Sequence, residues 1–317
     1  DVGRVFHMHS GASSSDFPGV VIRNLTIANG YAPAFSGADP IADTMAMTGC
    51  QSGEDACSGG AIFNEASASY LHNVLVQENA SNGNANGILN AGELVVSASQ
   101  IHKNRDELGH GGGVYNRGTL TVQNSTVDSN RTDSSGGGLS NSDGTTSIIS
   151  STFEGNETPW EGSAISNSGA GEISILATTI SGNDSPNDGA ALFALEGTIT
   201  IKNSIVADTT AGTGFTGANC HQTSGTMTAV GDNLSTDASC TGFLGSTPSG
   251  LNPMSAADCI AAAVPGTMCT PVLTPVPTSA VIGAATDCTD WSGVAMVWDQ
   301  QGSPRAAGAC DLGSAEH

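Results

Sequence analysis

Lysine and arginine are nearly missing from this chain: eight stand against thirty aspartates and glutamates in 317 residues, a formal net charge of −22. Without clustered cations nothing can hold a phosphate backbone, which excludes nucleic acid as a partner. The acidity favours solubility and permits adventitious Ca²⁺ binding, but it singles out no cofactor. Aromatic residues make up 4% and charged residues 12%, while glycine reaches 42. Corners are therefore many and bulky core side chains few, and a conventional globular core is not expected. No run of about 20 apolar residues occurs, which excludes a membrane-spanning helix. No charged-then-apolar leader stands at Asp1, so the expectation is a chain that has lost its signal peptide or been trimmed further. No stretch sustains a helical period. A Gly-x-Ser-x-Gly elbow is missing too, and the Gly-Gly-Gly runs fall at expected corners, which argues against a phosphate loop.

What the chain does have is a beat. Asn64, Asn90, Asn116, Asn141 and Asn167 recur at intervals of 26, 26, 25 and 26 residues. A second series, Asn79, Asn104, Asn130, Asn156 and Asn183, keeps step at 25, 26, 26 and 27. Self-similarity of this length is the mark of a solenoid, in which one repeat buries its apolar face only against the next. Apolar residues alternate as in strands, for example Leu120-Thr121-Val122 leading to Val127. The predicted fold is an all-β, right-handed parallel β-helix with coils stacked at about 4.8 Å. Identical residues then lie above one another, and stacked asparagine amides donate and accept along the column. Both series are predicted to be structural ladders.

Organisation follows the beat. Residues 1–58 are predicted to form irregular N-terminal coils with an inserted loop, 59–212 the regular β-helix, and 213–317 irregular final coils and a cap. Capping matters because a terminal coil exposes unpaired backbone groups. The start, at Arg4-Val5-Phe6-His7-Met8, reads as an uncovered coil able to recruit another subunit. Eight cysteines fall into near neighbours, Cys50 with Cys57, Cys220 with Cys240, Cys259 with Cys269 and Cys288 with Cys310. Proximity and the even count suggest four local disulfides, although eight thiols allow 105 connectivities. None has the spacing of a zinc knuckle. Disulfides place the chain outside the cytosol.

The phrases Gly59-Gly60-Ala61-Ile62-Phe63-Asn64 and Gly111-Gly112-Gly113-Val114-Tyr115-Asn116 resemble the repeats of polymorphic outer-membrane proteins and related bacterial surface β-helix proteins. Farther on, Asn203-Ser204-Ile205-Val206-Ala207, Gly231-Asp232-Asn233-Leu234, Asp299-Gln300-Gln301-Gly302-Ser303-Pro304-Arg305 and Cys310-Asp311-Leu312-Gly313-Ser314-Ala315-Glu316 resemble the choice-of-anchor Q domain. Gln301 stands where that family usually has Arg. The resemblance implies a secreted or surface-attached β-helix and no particular chemistry.

Two functions follow as expectations. The first is a non-catalytic structural or adhesive protein of the cell surface or extracellular space, stacking head to tail into filaments or holding a glycan or cell-surface partner. The alternative is a polysaccharide lyase or glycoside hydrolase. Its best patch is His102, Asp128 and Glu154, two residues before their ladder asparagines, with Arg105 and Arg131 one residue after theirs and Lys103, His110 and Arg117 close in the repeat. Two carboxylates about 5 Å apart suit a retaining glycosidase. Every β-helix nevertheless places neighbouring outward residues that close, so the spacing alone discriminates nothing. Trp160, Trp291 and Trp298 are too few to build a sugar cleft.

Overall fold

Alternating apolar and small polar residues, broken by glycine or asparagine, wind the chain into stacked coils. A computed structural model describes residues 5–8, 20–32, 59–105, 109–185, 190–210, 218–244, 251–253, 273–275, 279, 281–306, 308 and 310–315. Among these residues there is no helix, and the strands form a parallel β-helix. The first face is an eight-stranded sheet, running from Phe6–Met8 through Ile62–Asn64, Ile88–Asn90 and their successors to Ala218–Gln222. The second and third faces belong to one fourteen-stranded sheet. Its nine-residue strand Ser69–Gln77 serves both faces, and in the next coil it divides into Glu93–Ser97 and Gln100–His102.

Register is unbroken: Asn116 pairs with Asn90 on one side and Asn141 on the other, and Asp128 lies between His102 and Glu154. Three apolar columns fill the interior. Ile62, Ile88, Val114, Leu139 and Ile165 come from the first face, Val96, Val122, Ile148 and Ile175 from the second, and Ile101, Val127, Phe153 and Ile180 from the third, nearly all without solvent exposure. Each inward side chain contributes about 1.5–3 kcal/mol by leaving water. The sparse aromatics suffice because a coil interior is narrow.

Corners repeat as faithfully as strands. Between second and third faces Asn73, Ala98, Asn124, Ser150, Ala177 and Asn203 all have positive φ, and past the third face Glu78, Lys103, Ser129, Gly155, Gly182 and Asp208 do so too. Left-handed backbone at a fixed step turns the chain sharply without a bulky loop.

Toward the C-terminal end the disulfide Cys220–Cys240 joins the core beside Met227 and Phe243. The second disulfide, Cys288–Cys310, belongs to a segment folded back along the outside of the third face. The pairs Cys50 with Cys57 and Cys259 with Cys269, the inserted loop, and most residues flanking the first coil lie outside the described residues.

Candidate functional site

Asparagine columns occupy the positions that the repeat marks most strongly. In the first column Nδ2 of Asn64, Asn90, Asn116 and Asn141 donates to Oδ1 of the next asparagine at 2.7, 2.7, 2.8 and 2.8 Å. In the second, Asn79, Asn104, Asn130 and Asn156 do the same at 2.9, 2.9, 3.0 and 3.0 Å. There the acceptor Oδ1 also takes the previous asparagine's backbone N–H. All ten are buried. They face one another and present nothing to a ligand.

A third ladder was not expected. Ser99, Ser125, Ser151, Thr178 and Ser204 stand one residue past the left-handed corner, and the hydroxyls of Ser99, Ser125, Ser151 and Ser204 accept backbone N–H groups from the preceding coil. They recur at 26, 26, 27 and 26 residues, so the same count finds them. They escape notice because serine and threonine are common everywhere in the chain.

The outward column on the third face runs through His102, Asp128 and Glu154. His102 Nδ1 lies 2.6 Å from Asp128 Oδ2, and Gln100 Nε2 donates to Asp128 Oδ1 at 2.8 Å. Asp128 is thus held as an acceptor. Glu154, one coil on, is half-buried, and its pKa is raised first by that burial and then by the neighbouring charge of Asp128. Two carboxyls one coil apart with unlike surroundings form the kind of pair that divides acid and base roles. This asymmetry, unlike the spacing, is not automatic.

The cations do not converge on that pair. Arg105, Arg131 and Glu157 follow one another at the next corner, where Arg131 lies 3.4 Å from both Asp133 and Glu157. Arg105 and Lys103 line an open depression of about 510 Å³ with Glu78, Asn79 and Ala80. His110 stands on a separate turn, its Nδ1 3.0 Å from Ser134 Oγ, with its pKa lowered chiefly by burial. Arg117 follows the first-face strand Val114–Asn116, on another corner. The three tryptophans are exposed, Trp160 on a turn and Trp291 and Trp298 on the C-terminal segment.

Sequence reading also passed over the row beside Asp128 and Glu154. Thr126, Thr152 and Thr179 point outward yet are buried, because the C-terminal segment covers them. Gln300 bridges Thr126 and Thr152, and Ser314 reaches Thr152 and Thr179, at 2.7–3.2 Å. Nearby Lys202 is buried and pairs with Asp287 at 2.8 Å. That hydrogen bond, followed by one from Thr289, lowers the Asp287 pKa to about 2.

Among the described residues no group of three or more His, Cys, Asp or Glu side chains is placed to hold a metal, and no helix is long and apolar enough to cross a membrane. No protein-family model matches the chain, and neither a curated protein nor a solved structure matches it significantly.

Proposed function

We propose that this chain is a secreted or cell-surface structural protein whose β-helix displays an adhesive surface or stacks end to end into fibres. The observation that carries this reading is the inward use of its recurrent residues: the beat supplies buried hydrogen-bonded columns, and these stiffen the coil along its length. Two disulfides fit an oxidising, extracellular setting. The resemblance to bacterial surface β-helix repeats and to the choice-of-anchor Q domain points the same way. Electron microscopy and light scattering test the fibre version; a protein that stays monomeric across concentration ends it. Binding to a panel of immobilised glycans and intact cells tests adhesion, and binding to none of them ends that version.

A second reading, an extracellular polysaccharide lyase or glycoside hydrolase, is supported by the unlike environments of Asp128 and Glu154. In a hydrolase Glu154 would serve as the acid toward the leaving oxygen while Asp128 acts opposite it. Incubation with neutral and uronate polysaccharides tests it. Absence of product, or product undiminished in Asp128→Ala and Glu154→Gln, removes this reading.

A further inference from the structure

The described part of residues 279–315 forms a strap against the outside of the third face, held at its edge by the Lys202–Asp287 ion pair, by Thr286 donating to Asp232 and by Gly313 N–H donating to the Asn203 carbonyl, and gripped in two further ways. Val281, Ala285 and Leu312 pack with the two strap cysteines on Ile205, Ala207 and Leu234. Gln300 and Ser314 key into the threonine row. None of these contacts adds a strand to the sheet, since the third-face strands pair with one another and the one backbone-to-backbone bond to the coil among the described residues, from Gly313 to Asn203, lies at a corner. Displacing the strap would therefore break no rung of the coil.

Within the strap the bonding is different. Gln300 N–H donates to the Ser314 carbonyl, Leu312 N–H to Val281 and Arg305 N–H to Val297. The Arg305 guanidinium donates to the carbonyls of Asp311 and Gly313. Cys288–Cys310 joins the beginning of this plate to its end. It holds together as one unit, and its hold on the coil is mostly through side chains.

We infer that the strap is a disulfide-locked cover: Cys288–Cys310 keeps the plate in the shape that seats Gln300 and Ser314 on the threonine row, and reduction of that bond releases it while the coil stays folded. Both cysteines are buried at the contact, Cys288 at 9% and Cys310 at 3% exposure. A dithiol reductant reaches them only when the strap has lifted. One thiolate of the reductant attacks a sulfur and breaks the S–S bond, and its second thiol closes the exchange. Two electrons and two protons pass to Cys288 and Cys310, and the reductant leaves as its own disulfide. The uncovered strip offers three hydroxyls and an apolar end at Ile205 and Leu234, beside Asp128 and Glu154. This holds whether or not the protein adheres or polymerises.

Folded protein is treated with dithiothreitol, alkylated and resolved by mass, and hydrogen exchange is read on molecules that have lost Cys288–Cys310 but keep Cys220–Cys240. The amides of Gln300, Gly313 and Ser314 are expected to lose protection while those of Thr179–Ser181 and Ile205–Ala207 keep theirs. Strap amides that stay protected, or body strands that open with them, overturn the inference. Gating is read separately. Gln300→Ala deletes the bonds to Thr126 and Thr152 and is expected to speed reduction of Cys288–Cys310 about tenfold or more, with no change at Cys220–Cys240. Equal rates in variant and wild type, or a rise at both disulfides alike, refute a strap-gated bond.

Discussion

Removing one amide from the middle of a ladder tests whether the beat is what holds the coils together. Asn130 has no solvent exposure. Its Nδ2 donates to Asn156 Oδ1 at 3.0 Å and to the Ile101 carbonyl at 2.9 Å. Its Oδ1 accepts the Asn104 backbone N–H at 3.0 Å and Asn104 Nδ2 at 2.9 Å. After Asn130→Ala, Asn104 Nδ2 still reaches the Val76 carbonyl, and Asn156 Oδ1 still accepts the backbone N–H of residue 130. The Asn104 backbone N–H loses its acceptor. A buried donor left unmade costs about 1–3 kcal/mol, and the lost bonds and small void add to it. The expected total is roughly 2–4 kcal/mol, read as a lower urea midpoint at unchanged m-value. Hydrogen exchange supplies the local signature: the Asn104 amide should exchange at least about tenfold faster, since about 1.4 kcal/mol corresponds to tenfold. Asn130→Asp keeps the acceptor but loses both donations and sets oxygen against oxygen, so it should be no milder. A loss below about 0.5 kcal/mol, the size of an ordinary surface change, with an unaltered Asn104 amide would refute the ladder as a source of stability.

Three other outcomes are expected. Phe153 fills the third-face column without exposure, and Phe153→Ala should cost about 3–5 kcal/mol in denaturant unfolding. Ala98 sits at a corner with φ 45°, where an L-residue is disfavoured by about 1–2 kcal/mol and glycine is not; Ala98→Gly should therefore raise stability by up to about 1 kcal/mol in spite of glycine's greater unfolded-state freedom. The raised pKa of Glu154 means that the folded state binds its proton more tightly than the unfolded state does. Its contribution is present below the ordinary value of 4.5 and lost as pH rises through the higher folded pKa. Glu154→Gln should accordingly stabilise the protein at pH 7, relative to wild type, and lose that advantage in acid, as thermal unfolding across pH will show.

Much of the architecture was legible from residue types at fixed separations. A parallel β-helix makes position within the coil equal to position in a column, so Asn90 and Asn116, or His102 and Asp128, become neighbours by counting alone. The serine and threonine column was legible by the same count and hidden only by its commonness. The two cysteine pairs that the described residues contain, Cys220–Cys240 and Cys288–Cys310, join neighbours in sequence. Lys103, His110 and Arg117 show where counting stops, since closeness within a repeat spreads them over different corners of one coil.

From its amino acids alone the chain determined a coil of two dozen or so residues, the faces on which its residues stack and the inward turn of its asparagines, because translation by one repeat is a symmetry that local spacing expresses. The tertiary structure decided what breaks that symmetry. Gln300 meets Thr126 across 174 residues and Ser314 meets Thr179 across 135, contacts that no period relates. It also decided that Asp128 is an engaged acceptor and Glu154 a carboxyl whose pKa is raised, although both occupy one place in the repeat. Donors and burial, which vary from coil to coil, set that difference.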